Sequence, residues 1–475
     1  MLLAHRIRIE ATPAQRDYFA RAAGTARKVW NWALAQWHGQ VELGQWPQAK
    51  TLKKAFNAIK YVHPDWLDAQ GSPWLKTIHR DAHAQPFAHL ERAWTRYYKQ
   101  RKAGVQAFPP VFKKKGRCRD CFYVANDKFR LEGRYAVLPK IGTVVLAESL
   151  RLTGKIMGAC VSREANHWYL AVQVDLPEQE SLRPRSGDDV IGVDLGISAA
   201  AVLSSGEKIA SPRPLRKAQR RLRIRSRRHA RKLKAAKRAV GIQGAIPKGV
   251  RLPVSHNRKK AAQALARLHA RIAHIRADFT HKLTTRLCRE NQAVAIEDLN
   301  VRGMLANHRL ARAIADVGFY EVRRQLQYKA QRYRTLLVLA DRWYPSSKLC
   351  AVCGAHNASL TLNERDWHCQ CGAHHDRDMN AAINLQRLAT DALAAIKALR
   401  KSRLSDTRTV SRTARGRKRT LNTFVHVFDS RLRLAGQEAR QYRYSVAHRR
   451  RTRAGGYDVL EQRAKRTGAA WAPVS

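Results

Sequence analysis

Val190-Ile191-Gly192-Val193-Asp194-Leu195-Gly196-Ile197 is a short apolar run with one carboxylate near its middle. Its length and β-branched residues predict a buried strand. An ionised Asp in such a strand loses its water and needs a partner charge or a metal. Ser198 to Ile209 alternates weakly and turns at Ser204-Ser205-Gly206, so a hairpin is expected next. Asp194 then stands on the first strand of a sheet, at an open edge or crevice. Helix caps and buried ion pairs place Asp in such spots as readily as catalysis does, so the positions of the other acids decide.

Two further acidic places matter. Ala293-Val294-Ala295-Ile296-Glu297-Asp298-Leu299-Asn300 is another buried-type strand, and it ends in acids. Phe319, Val322, Leu326, Ala330 and Tyr333 then mark one face of a helix, and Leu336 to Ala340 predicts a strand ending at Asp341. The third place is His375-Asp376-Arg377-Asp378-Met379-Asn380-Ala381-Ala382, followed by the helical stripe Ile383, Leu385 and Leu388. Asp378 thus opens a helix, where the macrodipole favours an anion and where N-capping is the ordinary use of a single Asp. The order strand, hairpin, helix, strand, helix, strand, helix suits a mixed sheet with helices on its faces. If Asp194, Glu297 and Asp378 meet in one crevice, only divalent cations make their repulsion tolerable. Two Mg²⁺ ions there would clamp a phosphodiester.

Between the second and third acids lie Cys350-Ala351-Val352-Cys353 and Cys369-Gln370-Cys371-Gly372. Two close thiol pairs at this spacing read as a zinc ribbon holding one structural Zn²⁺ through Cys350, Cys353, Cys369 and Cys371. The second pair has a tight bite, so His368, His374 or His375 stands as an alternative fourth ligand. Cys118 and Cys121 read as surface or packed thiols, and Cys160 and Cys288 as core residues.

The composition fixes the class of partner. Lys and Arg number 91 against 36 Asp and Glu, a net charge of +55 over 475 residues. That excess calls for a polyanion, above all nucleic acid. No apolar run is long enough for a bilayer, and Met1 to Arg6 has no secretory character, so a cytoplasmic protein with reduced cysteines and no membrane partner is expected. The cations also cluster. Phe108 to Phe112 is a rigid, proline-bearing stretch leading into Lys113, Lys114, Lys115 and Arg117. A dense basic helix over 216–238 carries Arg220, Arg221, Arg223 and Arg227. Both are expected to contact phosphate. After a break at 241–253, a second helix follows with Leu265, Leu268, Ile272, Ile275, Phe279, Leu283 and Leu287 as its apolar stripe.

Upstream, Leu2 to Ile9 reads as a strand, and Thr12-Pro13-Ala14-Gln15 has the form of a helix start. The helix is expected to reach about Trp37, with Val29, Trp30, Leu34 and Trp37 packed on one side. Ser72 to Lys102 is helical in pattern. Residues 123–176 switch to a period of two, with strands at Tyr135–Leu138, Thr143–Leu146, Gly158–Val161 and Trp168–Val172, suggesting a small β-barrel or sandwich. Pro177 to Asp188 reads as a linker. Ser402 to Arg419 is Arg-, Ser- and Thr-rich and is expected to be disordered, with a short strand at Phe424–Phe428 and a short helix at Tyr457–Arg466 beyond it.

These residues resemble the TnpB (OrfB) family of transposon-encoded RNA-guided nucleases related to type V CRISPR effectors. The matching motifs are Ile191 to Gly196, Ile296 to Asn300, Tyr344-Pro345-Ser346-Ser347-Lys348 and Asp376 to Ala382, with Trp30 to Leu34 and Phe112 to Gly116 also similar. The resemblance covers roughly residues 1–390. It implies a multidomain α+β protein. A RuvC-like, RNase H-type domain would occupy 187–341 and 373–400, with a zinc ribbon inserted at 342–372. A β-barrel wedge would form from 1–10 and 123–186, a helical recognition lobe from 11–122, and a basic tail from 401–475. It implies Asp194, Glu297 and Asp378 as catalytic acids, with Asp376 a weaker third member. The partners implied are a guide RNA encoded near its own gene and a target DNA beside a short flanking motif, held by a monomeric ribonucleoprotein with a dimer left open. Two other functions stay open on sequence: an RNA-guided binding regulator without cleavage, and a strand transferase that needs no RNA.

Overall fold

The computed structural model describes residues 1–177, 186–247, 249–361, 363–406 and 424–426. Most of the linker, the stretch expected to be disordered from residue 407 on and the Tyr457–Arg466 helix lie outside the described residues, while residues 402–406, also expected to be disordered, continue the helix Arg377–Asp406.

Strand β1 (Leu2–Ile9) leads into α1 (Pro13–Glu42). The Thr12 hydroxyl accepts from the Gln15 amide at 3.2 Å, and the Gln15 side chain accepts from the Thr12 amide at 3.0 Å. This reciprocal cap satisfies two amides that the first turn leaves free. Helices α2 (Ala49–Ile59) and α3 (Arg80–Lys102) complete a helical lobe. Its core joins Val29, Trp30, Leu34 and Trp37 with Phe56, Trp66, Phe87 and Trp94. The expected helix from Ser72 begins only at Arg80, because Trp74–Thr77 forms a separate 3₁₀ turn after Pro73.

The β-rich unit is two sheets. One has the order β1, β7 (His167–Asp175), β6 (Lys155–Glu164), β2 (Cys121–Ala125); the other is β3 (Arg130–Glu132), β4 (Tyr135–Leu138), β5 (Gly142–Val145). The pleat alternates as read from sequence: Trp168, Leu170, Val172 and Val174 are buried against Phe19 and Phe122. Strand β1 pairs with β7 across the length of both, from Leu2 against Asp175 to Ile9 against Trp168.

The third unit is a mixed sheet in the order β10 (Lys208–Ile209), β9 (Ala201–Leu203), β8 (Asp189–Asp194), β11 (Asn291–Glu297), β12 (Leu336–Ala340), β15 (Phe424–His426). Strands β8, β9 and β10 are antiparallel, while β8, β11, β12 and β15 run parallel. The quoted run does not continue as a strand beyond Asp194, so Asp194 stands at the strand's end rather than near its middle. The chain bends there through residues 195–200 before returning as β9. Helices cover both faces. On one side α5 (His256–Glu290) and α8 (Phe319–Tyr333) pack on Ile191, Val193, Val294, Ile296, Leu337 and Leu339. On the other, α9 (Arg377–Asp406) packs on Ala293, Ala295, Val338 and Ala340. The remaining helices are α4 (Pro214–Arg238), α6 (Val301–Leu305) and α7 (Ala311–Val317).

Helix α4 buries only Pro214 and lies along α5 as a hairpin. Both carboxylate oxygens of Asp316 accept from its first amides, Leu215 at 3.0 Å and Arg216 at 3.1 Å, and fix its start. On α5, Leu268, Ile272, Leu283 and Leu287 are buried, but Ile275 is 39% exposed. The helical period rotates a long apolar stripe, so its middle member falls outside. Between β12 and α9 sit Cys350 to Cys371 and the hairpin β13 (Asp366–His368) and β14 (His374–Asp376). No helix among the described residues is long and apolar enough to cross a membrane.

Candidate active site

Pleat parity decides where the acids point. On β8, Val190, Gly192 and Asp194 share one face; on β11, Ala293, Ala295 and Glu297 do. This is the face that α9 covers. The parallel register sets Ala295 beside Gly192 and Ile296 beside Val193, so one further step brings Glu297 beside Asp194. Gly192 then brings in the helix. A Cβ there would fall inside the radii of the Ala382 carbonyl and the Gln386 amide, so only glycine allows α9 this close. Gln386 also donates to the Val190 carbonyl at 2.7 Å. Asp378 lies one turn before Ala382 on the same side of α9, so the helix presents it toward the two strand ends.

The electrostatics agree. Burial, then Glu297, then Asp378 push the Asp194 carboxyl up to about 8, with Arg377 and Arg365 opposing. Burial also raises Glu297, against Ser346 and Arg377. The Ser346 hydroxyl donates to Glu297 Oε1 at 2.5 Å. Asp378 is met by Arg365 Nη1 at 3.2 Å and 3.3 Å to its two oxygens, and by Arg377 Nη2 at 3.7 Å. Neighbouring acids are otherwise engaged. Asp376 accepts from the Met379 amide at 2.9 Å and pairs with Lys208 at 2.6 Å, so it is Asp376 that caps α9. Asp298 pairs with Arg323 and Arg342.

The four expected thiols come together. Their sulfurs all lie within 4.8 Å of one another, with Cys350 to Cys371 at 3.7 Å and Cys353 to Cys369 at 3.6 Å. A tetrahedral zinc with Zn–S near 2.3 Å separates its sulfurs by about 3.8 Å, so this set fits such an ion. The tight Cys369/Cys371 bite is met by a turn in which Gly372, at φ +87°, donates to the Cys369 carbonyl. His375 completes the surroundings: its Nε2 lies 3.0 Å from Cys350 Sγ. Burial of the Cys350 thiol is outweighed by the Cys353 and Val352 amides and by His375, which hold it down at about 5.

The ribbon is tied to the acids. The Asn380 amide donates to the Leu349 carbonyl at 2.6 Å while its oxygen accepts from the Ala351 amide at 2.8 Å. Asn384 donates to the carbonyls of Ser346 at 2.8 Å and Leu349 at 2.7 Å. Ser346, Arg365, Arg377 and the asparagine clamps were not read as site residues from the sequence. Ser346 and Asn380 do stand in the motifs that signalled the site.

Among the expected phosphate-binding residues, Lys114, Lys115, Arg117, Arg220, Arg221, Arg223 and Arg227 are exposed. Lys113 is turned inward. Its ammonium sits 3.6 Å from the Trp30 ring centroid, its backbone is held by Asn31, and burial lowers its pKa.

Family comparison gives three matches: a family model described as "Probable transposase" over residues 171–308, a "Cas12f1-like, TNB domain" over 319–385, and a "Helix-turn-helix domain" over 1–45. The last span is here one strand and one long helix. A Streptomyces pristinaespiralis protein named "Putative RNA-guided DNA endonuclease" is 33% identical over 421 residues, covering 87% of this chain and 94% of that one. A Mycobacterium tuberculosis protein of like name is 30% identical, over 81% and 86%. The Escherichia coli protein InsQ, also so named, is 29% identical over 81% and 91%. Among solved structures, a Cas12f1–sgRNA–target DNA complex matches with TM-score 0.46 and 13% identity, over 79% of this chain and 83% of that one.

Proposed function

As a member of the TnpB (OrfB) family the chain is an RNA-guided DNA endonuclease, and we propose that Asp194, Glu297 and Asp378 form its cutting centre, a RuvC-like site of RNase H type. The observation that carries this is geometric: the parallel register sets the end of β11 beside the end of β8, and Gly192 admits the helix that begins with Asp378, with the upward push on Asp194 in agreement. Acids on two strands and a helix share one electrostatic neighbourhood, an oxygen-donor set suited to hard divalent cations. Asp194, Glu297 and Asp378 would hold two Mg²⁺ ions, whose Lewis acidity would serve hydrolysis of a phosphodiester to 5′-phosphate and 3′-hydroxyl ends. Ser346 orients Glu297 through its 2.5 Å hydrogen bond. Arg365 and Arg377, beside Asp378, add positive charge where a phosphate would enter. The four thiols would hold one structural Zn²⁺ that braces the start of α9.

The helical lobe of α1–α3 and the β-rich unit, acting as recognition lobe and wedge, hold RNA and an RNA–DNA heteroduplex through phosphate and shape. Base pairing selects the target, and the protein reads only a short flanking motif. The guide is transcribed near the protein's own gene, and the particle works in the cytoplasm.

The test is cleavage by purified ribonucleoprotein in Mg²⁺. Asp194→Ala, Glu297→Ala and Asp378→Ala should each abolish cutting while target binding persists. Wild-type cutting by any of the three would overturn the assignment. Cutting by protein stripped of RNA would overturn the guided mechanism.

A further inference from the structure

Four aromatic rings at the end of the helical lobe form a stack. Trp37 lies on Trp94 at 5.4 Å between centroids and 10° between planes. Trp94 lies on Tyr98 at 5.6 Å and 24°, and Tyr98 on Trp46 at 6.3 Å and 21°. The series runs outward. Trp37 and Trp94 are 6% and 7% exposed, Tyr98 43%, and Trp46 83%. Trp46 sits in the connection between α1 and α2, and no ring beyond Tyr98 stacks on it among the described residues. Burying an indole stabilises a fold by kilocalories, so an indole left this open adds little to folding.

The surroundings say what would cover it. Lys99, Arg101 and Lys102 fill the last turn of α3 directly after Tyr98 and are exposed, as is Lys50 at the start of α2. None of the four has an acidic partner among the described residues. A flat π face beside unpaired cations is how proteins hold single-stranded nucleic acid: the ring stacks a base and the cations meet its phosphates. An apolar partner helix would gain nothing from those cations.

We propose that Trp46 is the outer end of a stacking platform that captures one unpaired base of the guide RNA. RNA is favoured over DNA because the guide is a standing component of the particle, whereas target DNA is met only during cutting. The inference rests on the RNA-guided reading. Were that reading wrong, no RNA would copurify; were only this inference wrong, RNA would copurify without touching Trp46.

The test uses the full chain assembled with guide transcript carrying 4-thiouridine. After irradiation, the crosslinked peptide should contain Trp46, and Trp46→Ala should remove that crosslink. In parallel arms, 4-thiothymidine is placed in either DNA strand of the target complex. Guide-RNA titration should show Trp46→Ala weakening binding about tenfold with an unchanged salt dependence, and Trp46→Phe restoring most of it. Replacing Lys99, Arg101 and Lys102 together by Gln should instead flatten the salt dependence. Crosslinking to DNA alone, no crosslink at this segment, or unaltered RNA affinity of Trp46→Ala would each overturn the proposal.

Discussion

Asp194 carries a proton more readily in the folded chain than in the unfolded one, because burial, Glu297 and Asp378 raise it to about 8. Its protonated form therefore stabilises the metal-free fold below the ordinary carboxylate range, and that stability is lost as pH rises through about 8. The loss should be on the order of a few kcal/mol, seen as a falling melting temperature of zinc-loaded protein held without Mg²⁺ between pH 5 and pH 9. Asp194→Asn should flatten the slope, and Mg²⁺ should restore wild-type stability at high pH. Gly192→Ala tests the close approach of α9. The new methyl meets backbone rather than a movable side chain, so it should cost about 1–3 kcal/mol and cut activity sharply. Asp194 and Gly192 both stand in the run 190–197. The meaning of Gly192 was not legible there, since the atoms it makes room for lie near residue 382.

Helix α9 is the element that links the three acids to the four thiols. Asp378 stands in its first turn, Asn380 and Asn384 clamp it to the ribbon, and Leu385 and Ala389 bury it on the sheet. Removing zinc should therefore act on cutting through this helix. Cys353→Ser or a zinc chelator should reduce cleavage more than tenfold, and added Mg²⁺ alone should not restore it. The ribbon was legible because thiol spacing is a local signal. Three nearby histidines were legible as candidates beside the thiols, but that His375 is the one 3.0 Å from Cys350 was not, because its position is set only once β13 and β14 pair. Helix α4 was equally plain in sequence, with an Arg-rich surface that folding leaves almost wholly outside. Changing Arg220, Arg221, Arg223 and Arg227 to Gln should lower the salt dependence of RNA binding by roughly 0.7 to 0.9 for each phosphate no longer neutralised, with little change in melting temperature.

At the scale of the molecule, the order of strands and helices in the mixed sheet could be read from periodicity, while its pairing could not. That β1 closes the first sheet against β7, with partners 159 to 173 residues apart in the chain, depends on long-range register, which no local pattern encodes. The same holds for β2 and β3, which are short, and for the meeting of residues 194, 297 and 378. The charge was legible throughout, at +55. Much of it stays on exposed faces such as α4, where like charges repel in the compact state. Binding a polyanion to the native chain alone should raise its melting temperature with transcript concentration, checked by melting with and without guide at fixed salt. The bare arginine-studded helix has a cellular corollary. A newly made chain that finds no transcript is self-repelling and open to any stray RNA, so its survival, and hence its abundance, should rise and fall with the supply of its own guide.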